Sequence, residues 1–536
     1  MGWGWAQVGC RSVRVLIFHG YLLGGTGSNV YNARLADALS RLGHEVHLLS
    51  QDRHPERHAF VDAVGDWDAG ALVVRGVDRA RSDRTGRCTV YRPDIGDLLP
   101  VYVADRYEGI RAQTFAQCSD AEVARYIESN VAAVSELQGL VRADLALANH
   151  LVMGPVILAR ALAGEVPYAV KIHGSALEYT VKPQPERFLG LAREGVDAAV
   201  AVLVGSRHTA ASLWRALDGQ RLRERTRLGP PGVDVELFAP RGRAQAEAAV
   251  GTLVRTLGSG AASEASAGAF ARDERASARA LARLRPGRDR LVAFVGKLIV
   301  SKGIDLLIAA WPLVLERVPR ARLVVVGFGA YREGSERLCS ALSAGDLPQA
   351  REIALAGRAL EEPTPDAPPL RHLLAFLDGL RAGERDRYLA AAHALEQAVV
   401  LAGRLDHEEL ADLLPACEAL VVPSTFPESF GMVAAEAAAC GVLPISAAHS
   451  GLAEVSDALA DAVPTQVAPW LSFPVDDSAV RALAARVVSW LEADPELRAR
   501  TRAGLVNTAR ERWSWEGVAR GVLAAARGEL GDLPKP

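Results

Sequence analysis

Short apolar runs that end in glycine, proline or histidine recur along the chain, each followed by a longer stretch with helical spacing. Residues 13–19 predict a strand, 24–27 a glycine-rich turn, 28–42 a helix capped by Ser28 or Asn29, and 43–50 a second strand. That is one βαβ unit, and it makes the N-terminal part α/β. Runs at 144–150, 168–175 and 198–206 predict further strands, whose ends would set His150, His173 and Ser206 along one rim of a sheet. A second series opens with a strand at 291–296, a helix over 304–317 and a strand at 322–327, and resumes at 399–405 and 419–422. From Gly431 the chain is alanine-rich without a breaker until Gly441, so 419–441 reads as strand, loop and helix.

Between these series the pattern weakens. Residues 53–131 are less regular, and 101–109 reads as a loop in which Asp105, Arg106 and Glu108 suit either acceptor recognition or an ordinary surface ion-pair cluster. The arginine-rich helical segment 207–227 reads as a solvated face, and the prolines of 230–240 make a stiff connector. Residues 241–288 are rich in Ala, Gly, Ser and Arg, with little apolar periodicity beyond a helix near 276–284, and 258–268 looks mobile. A mainly helical insertion is expected over about 332–398, broken by the prolines between 363 and 369.

With 536 residues the chain is too long for one ordinary domain, and its 49% hydrophobic and 23% charged content suits sizeable cores. A formal charge of −3 gives no general attraction to nucleic acid or to an anionic membrane. The six cysteines are scattered, with neither Cys-x-x-Cys nor zinc spacing, which points to a reduced, cytoplasmic setting. The first residues lack the apolar core of a signal peptide, and no run nears the roughly 18 apolar residues of a membrane span. Membrane contact is therefore expected to be at most peripheral, on the inner face.

In a doubly wound sheet the 423–431 loop lies at the carboxyl end of its strand, where ligands bind, and the free N–H groups of the following helix favour an anion. Glu428 in the loop and Glu436 one to two turns into the helix can both reach a ligand resting there. Carboxylates repel phosphate but accept hydrogen bonds from hydroxyls. The natural guest carries phosphate in its middle and polyols at both ends, as a nucleotide-diphosphate sugar does. Lys297 and Lys302 flank another strand-to-helix turn, where they are placed to hold phosphate oxygens.

The Glu-x7-Glu spacing around Ser429-Phe430-Gly431, followed by Gly441-Val-Leu-Pro444 and Ser450-Gly-Leu-Ala-Glu454, resembles the signature of the retaining glycosyltransferase family 4 with the GT-B fold. The first βαβ unit, the Ile172-His-Gly-Ser175 loop, the 230–240 segment and Glu511-Arg-Trp-Ser-Trp-Glu516 resemble the same family. The resemblance implies an α/β protein of two Rossmann-like doubly wound parallel-sheet domains facing a central cleft. Their expected extents are 1–235 for the N-terminal domain, 236–290 for a connector and flexible insertion, 291–505 for the nucleotide-sugar-binding domain, and 506–536 for a helix crossing back. It also implies roles: Gly24, Gly25, Lys297 and Lys302 at the donor diphosphate, Arg404 and Leu405 at the base, Phe430, Gly431 and Met432 at the helix start, and Glu436 at the ribose. His173, Glu428 and Lys302 form the implied catalytic set. Where the family has arginine this chain has Lys297, which keeps the charge and loses the bidentate fork.

The implied reaction moves a hexose-type sugar from a nucleotide-diphosphate sugar to an unidentified hydroxyl acceptor, a small molecule, lipid or glycan. The departing phosphate would act as base, with no metal and no cofactor beyond the co-substrate. One rival is a non-catalytic nucleotide-sugar-binding protein. Another is an NAD-dependent oxidoreductase using Gly25-Thr-Gly27 and Asp52, although Val30 stands at the third glycine position. Asp66-Trp-Asp68 has the spacing of a metal-holding Asp-x-Asp, but its neighbours predict a surface turn.

Overall fold

The computed structural model describes residues 12–24, 27–68, 70–78, 85–102, 111–260, 272–361 and 367–536. The chain forms two compact units, Met1–Gly232 with Trp513–Pro536, and Val233–Arg512.

In the first unit the strands are β1 Arg14–Phe18, β2 Glu45–Leu49, β3 Ala63–Asp68, β4 Ala71–Gly76, β5 Arg87–Arg92, β6 Leu98–Val101, β7 Arg111–Thr114, β8 Leu145–Asn149, β9 Tyr168–Ile172, β10 Ala201–Val204 and β11 Thr226–Leu228. Nine of them make one sheet in the order β11-β10-β9-β8-β1-β2-β5-β3-β4, parallel except for the β3–β4 pair, while β6 and β7 pair separately. Along β1, Leu16 and Phe18 enter one core and Val15 and Ile17 the other, the period-2 alternation of a strand buried on both faces. Helices Asp120–Val141, Gly154–Leu162 and Pro185–Ala198 close the first core, and Gly27–Arg41 with Trp515–Arg527 close the second. Trp515 meets the Tyr31 ring edge-on at 5.5 Å, and a side chain at Gly232 would come within 2.5 Å of it.

The region 53–131 is more regular than its sequence suggests. It supplies β3, β4 and β5, and β4 is mostly exposed at the sheet edge, so no inward apolar alternation marks it. Asp66 and Asp68 therefore lie in a strand, not in a surface turn.

The second unit carries β12 Arg290–Val295, β13 Ala321–Val326, β14 Val399–Gly403, β15 Ala419–Val422, β16 Leu443–Ala447 and β17 Ser472–Phe473 in the parallel order β14-β13-β12-β15-β16-β17. Helices Ile304–Arg317 and Ala479–Glu492 pack together against it, and five α-helices among the described residues between Arg332 and Ala398 lie in the stretch expected to be a helical insertion. Within 241–288, where little apolar periodicity is expected beyond a helix near 276–284, Arg243–Ser259 is a 17-residue helix, packed on Glu274–Leu281 and on His407–Leu413. Its buried residues, Ala246, Val250, Leu253 and Leu257, have the 4-3-4 spacing of a helix face, masked in the sequence by the small residues around them. Residues 261–271, most of the segment expected to be mobile, lie outside the described residues.

Asp305, in the first turn of Ile304–Arg317, is 3% exposed, and burial pushes its carboxyl from an ordinary 3.8 up to about 7. The folded chain thus binds this proton more tightly than the unfolded one. Stability is then greatest below about 4 and declines as pH rises toward about 7. Asp305→Asn is expected to flatten this part of the pH–stability curve, measured by urea unfolding at several pH values; an unchanged slope would assign it to other groups.

Candidate functional site

Each sheet has a topological switch point, β1/β8 in the first unit and β12/β15 in the second, where neighbouring strands run on to helices in opposite directions. The carboxyl ends of those strands are where a ligand crevice forms.

In the second unit, β12 runs into Gly296, Lys297 and a short 3-10 turn, Val300–Lys302, before the helix that starts at Ile304. β15 runs into the 423–431 loop and the helix Met432–Ala439. The two loops meet. Thr425 N–H donates to Ser301 O at 2.9 Å, and Gly303, at φ +67°, lies so close that an added Cβ would sit 2.0 Å from Pro423 O. Lys302 Nζ pairs with Glu428 Oε1, which also accepts from Ser424 Oγ at 2.7 Å. From the other side Glu428 N–H donates to Ser450 Oγ at 2.9 Å, and His449 bridges Ser450 Oγ (3.0 Å) and Ser424 O (2.8 Å). Lys302 and Glu428, expected separately on phosphate and sugar, are thus one contact pair. Lys297 stands exposed at the same edge.

Glu436 is 4% exposed, and its carboxylate faces His407 Nε2 at 3.3 Å. His407 in turn meets the Phe238 ring edge-on at 5.9 Å. No local pattern links residues 407 and 436, so the sequence gives no sign of this pairing, nor of the one between His449 and Ser424. Phe430 and Gly431 are buried and Met432 half-buried at the helix start. Beyond β14, the Arg404 side chain pairs with Asp406 at 2.9 Å, and Gly403 O accepts from Gly327 N–H.

In the first unit, His19, His150 and His173 follow β1, β8 and β9 directly and form a cluster. The His150 and His173 rings lie 4.9 Å apart, His150 stacks on His19 at 6.2 Å, and Tyr102 meets His150 at 4.4 Å. Asn149 Nδ2 donates to Phe18 O at 3.1 Å, so Asn149 Oδ1 is an acceptor toward His173 Nε2 at 2.8 Å. That assignment puts the proton on Nε2 and leaves Nδ1 as an acceptor. Burial first, then the neighbouring His150, Lys171 and His19, hold His173 well below its ordinary pKa, so it is neutral near pH 7. His150 is 2% exposed, at φ 68°, and neither ring nitrogen has a hydrogen-bond partner among the described residues.

Other candidates fall elsewhere. Ser206 is a buried N-cap, accepting from Thr209 N–H at 3.1 Å. Asp52 accepts from the N–H groups of Leu23 and His54, both at 2.9 Å, so the acid that a dinucleotide would need is tied into the loop after β1. Asp66 pairs with Arg92 at 2.7 Å and with Arg75. Gly24 is exposed, and its carbonyl accepts from Asn29 Nδ2 at 2.7 Å. Gly25, Asp105, Arg106 and Glu108 lie outside the described residues.

Residues 381–504, which include β14 to β17 and the loop after β15, match the family Glycosyl transferases group 1. A D-inositol 3-phosphate glycosyltransferase of Segniliparus rotundus is 33% identical over 264 residues, 49% of this chain and 45% of that relative, so the match spans less than half the relative's length. Among solved structures, sucrose-phosphate synthase from Thermosynechococcus elongatus superposes with a TM-score of 0.55 at 19% identity, covering 97% of this chain and 99% of that one. Anabaena Alr3699/HepE in complex with UDP and glucose gives 0.53 at 16% identity, over 96% and 99%. The fold is the two-domain α/β GT-B type.

Gly303 has no room for a side chain and holds a backbone angle that other residues resist. Gly303→Ala is expected to lose about 2 kcal/mol or more of stability, read as a lower Tm. An unchanged Tm would mean that the two loops separate easily.

Proposed function

We propose that this chain is a glycosyltransferase that moves a hexose-type sugar from a nucleotide-diphosphate sugar to a hydroxyl acceptor, with retention at the anomeric carbon. The observation that carries this reading is the Lys302–Glu428 pair at the second unit's switch point, eight residues ahead of the buried Glu436. One helix start thus gathers a cation for phosphate, a carboxylate for sugar hydroxyls and a carboxylate for the ribose.

The bond from sugar to phosphate breaks early in such a transfer, so the site must meet negative charge on the leaving diphosphate. Lys302, Lys297 and the N–H groups opening Met432–Ala439 supply that stabilisation. Attack on the same face lets the departing phosphate take the acceptor proton, so neither a side-chain base nor a metal is needed. His173, neutral and with its proton held on Nε2, offers a hydrogen-bond acceptor to a ligand hydroxyl and takes no part in proton transfer.

The acceptor side falls to the first unit. At the carboxyl ends of β2 and β5 a cavity of about 360 Å³ is lined by Arg53, Arg92 and Arg111, with Asp97 opposing them. Guanidinium groups in a concave site suit a phosphorylated polyol, in keeping with the name of the Segniliparus relative. The setting proposed is cytoplasmic.

Thermal stabilisation against UDP-, GDP- and ADP-sugars tests the donor. One nucleotide family is expected to raise Tm by several degrees, Glu436→Gln to lose that shift, and NAD to give none. With the donor found, Lys302→Met is expected to lower kcat by about a hundredfold or more, EDTA to leave the rate unchanged, and product NMR to show the donor's anomeric configuration. A shift with NAD alone, or an inverted product, would overturn the reading.

A further inference from the structure

At the opposite, amino-terminal edge of the second unit's sheet lies a cavity of about 690 Å³. Its walls come from the residues that enter the central strands: Arg290 begins β12, Arg320 precedes β13, and Pro415 to Glu418 precede β15. The ends of helices Ile304–Arg317 and Ala479–Glu492, the start of Arg243–Ser259 and a face of Pro495–Trp513 complete it.

Seven arginines and three carboxylates line this cavity, in a chain whose formal net charge is −3. Most of the carboxylates are already engaged. Glu418 is shared by Arg290 at 3.4 Å, Arg498 at 3.6 Å and Arg502 at 2.6 Å, and Glu492 pairs with Arg317 at 2.9 Å. The third, Asp289, accepts from the Arg285 N–H at 2.9 Å. Arg288 and Arg320 are exposed, and neither guanidinium has a hydrogen-bond or ion-pair partner among the described residues. Burial, opposed by Glu418 and aided by Arg290 and Arg502, lowers the Arg498 pKa, consistent with positive charge that one carboxylate does not neutralise.

We infer that this cavity binds a compact, multiply charged anion bearing phosphate groups. Concavity favours a small molecule over a flat surface partner, and the planar guanidinium fork matches phosphate oxygens in pairs. A local excess of one sign on low-dielectric walls raises the nearby concentration of the opposite ion, even on an acidic chain. The site is separate from the proposed donor edge. β12 is six residues long, about 17 Å at the usual rise from its first residue to its last, and the two sites occupy its opposite ends. Because β12 and β15 each run from this cavity to a loop of the donor edge, an anion bound here contacts the same strands that position Lys302 and Glu428.

Inorganic pyrophosphate is the probe, titrated calorimetrically into the full chain as wild type, Lys302→Met, Arg288→Ser/Arg320→Ser and the triple variant. Two classes of site are expected in wild type, one in Lys302→Met, one in the double variant and none in the triple. The double variant should weaken the second class by about tenfold or more. Both changed residues are exposed, and the circular dichroism melt should stay as in wild type. A double variant that keeps the wild-type isotherm overturns the inference. Loss of both classes in Lys302→Met also overturns it, whereas two classes persisting in Lys302→Met would fault only the donor assignment. Phosphatidylinositol-phosphate vesicles form a second arm: flotation that depends on Arg288 and Arg320, without pyrophosphate binding, would assign the patch to a lipid headgroup and overturn the small-anion site.

Discussion

Contact between two loops, 300–303 and 423–428, holds the second unit's candidate site together. Each loop alone would be an ordinary exit from a parallel strand. What joins them is a backbone approach that only glycine allows at position 303, one main-chain hydrogen bond from Thr425 to Ser301, and the Lys302–Glu428 pair. A cation and a carboxylate held this way are arranged before any ligand arrives, so binding need not order them. His449 and Ser450 hold the carboxylate loop from the far side, and the pair depends on them as much as on its own charges.

The first unit solves a different problem. Three histidines and several tyrosines converge at the carboxyl ends of β1, β8 and β9, His19 and His150 almost wholly out of water and His173 half-buried. Burial removes their charge, and what remains is hydrogen-bonding direction. Phe18 O orients Asn149, which orients His173. A neutral imidazole with a fixed acceptor suits recognition of a hydroxyl better than it suits acid–base work.

Most of the fold could be read from the chain because parallel strands buried on both faces are continuous apolar runs, and β1, β2, β8, β9, β10, β12, β13 and β15 all announce themselves that way. Strands β3 and β4 do not, since one lies near the edge and the other at it, and the pattern of Arg243–Ser259 is diluted by alanine and glycine. The candidate site was legible where chemistry is local: Glu428 and Lys302 sit at strand-to-helix turns that spacing reveals, and Glu436 in the helix after one. Partners supplied from afar were not. His407 meets Glu436 across 29 residues of chain, and Asn149 meets His173 across 24; only the folded sheet brings them together.

The first unit is discontinuous in sequence. Ala519, Val522, Leu523 and Leu533 belong to the same core as β1 and the helix Gly27–Arg41, Leu228 N–H donates to Pro534 O at 2.7 Å, and Arg227 Nε donates to Leu530 O at 2.9 Å. During synthesis, therefore, the strands of this unit, all ahead of Gly232, cannot complete the cover on one face of their sheet until residues 513–536 emerge. The second unit, continuous from Val233 to Arg512, can finish folding in the meantime. Until residues 513–536 emerge, the part of the first unit's sheet face which the helix Gly27–Arg41 does not cover stays open to solvent and to chaperones.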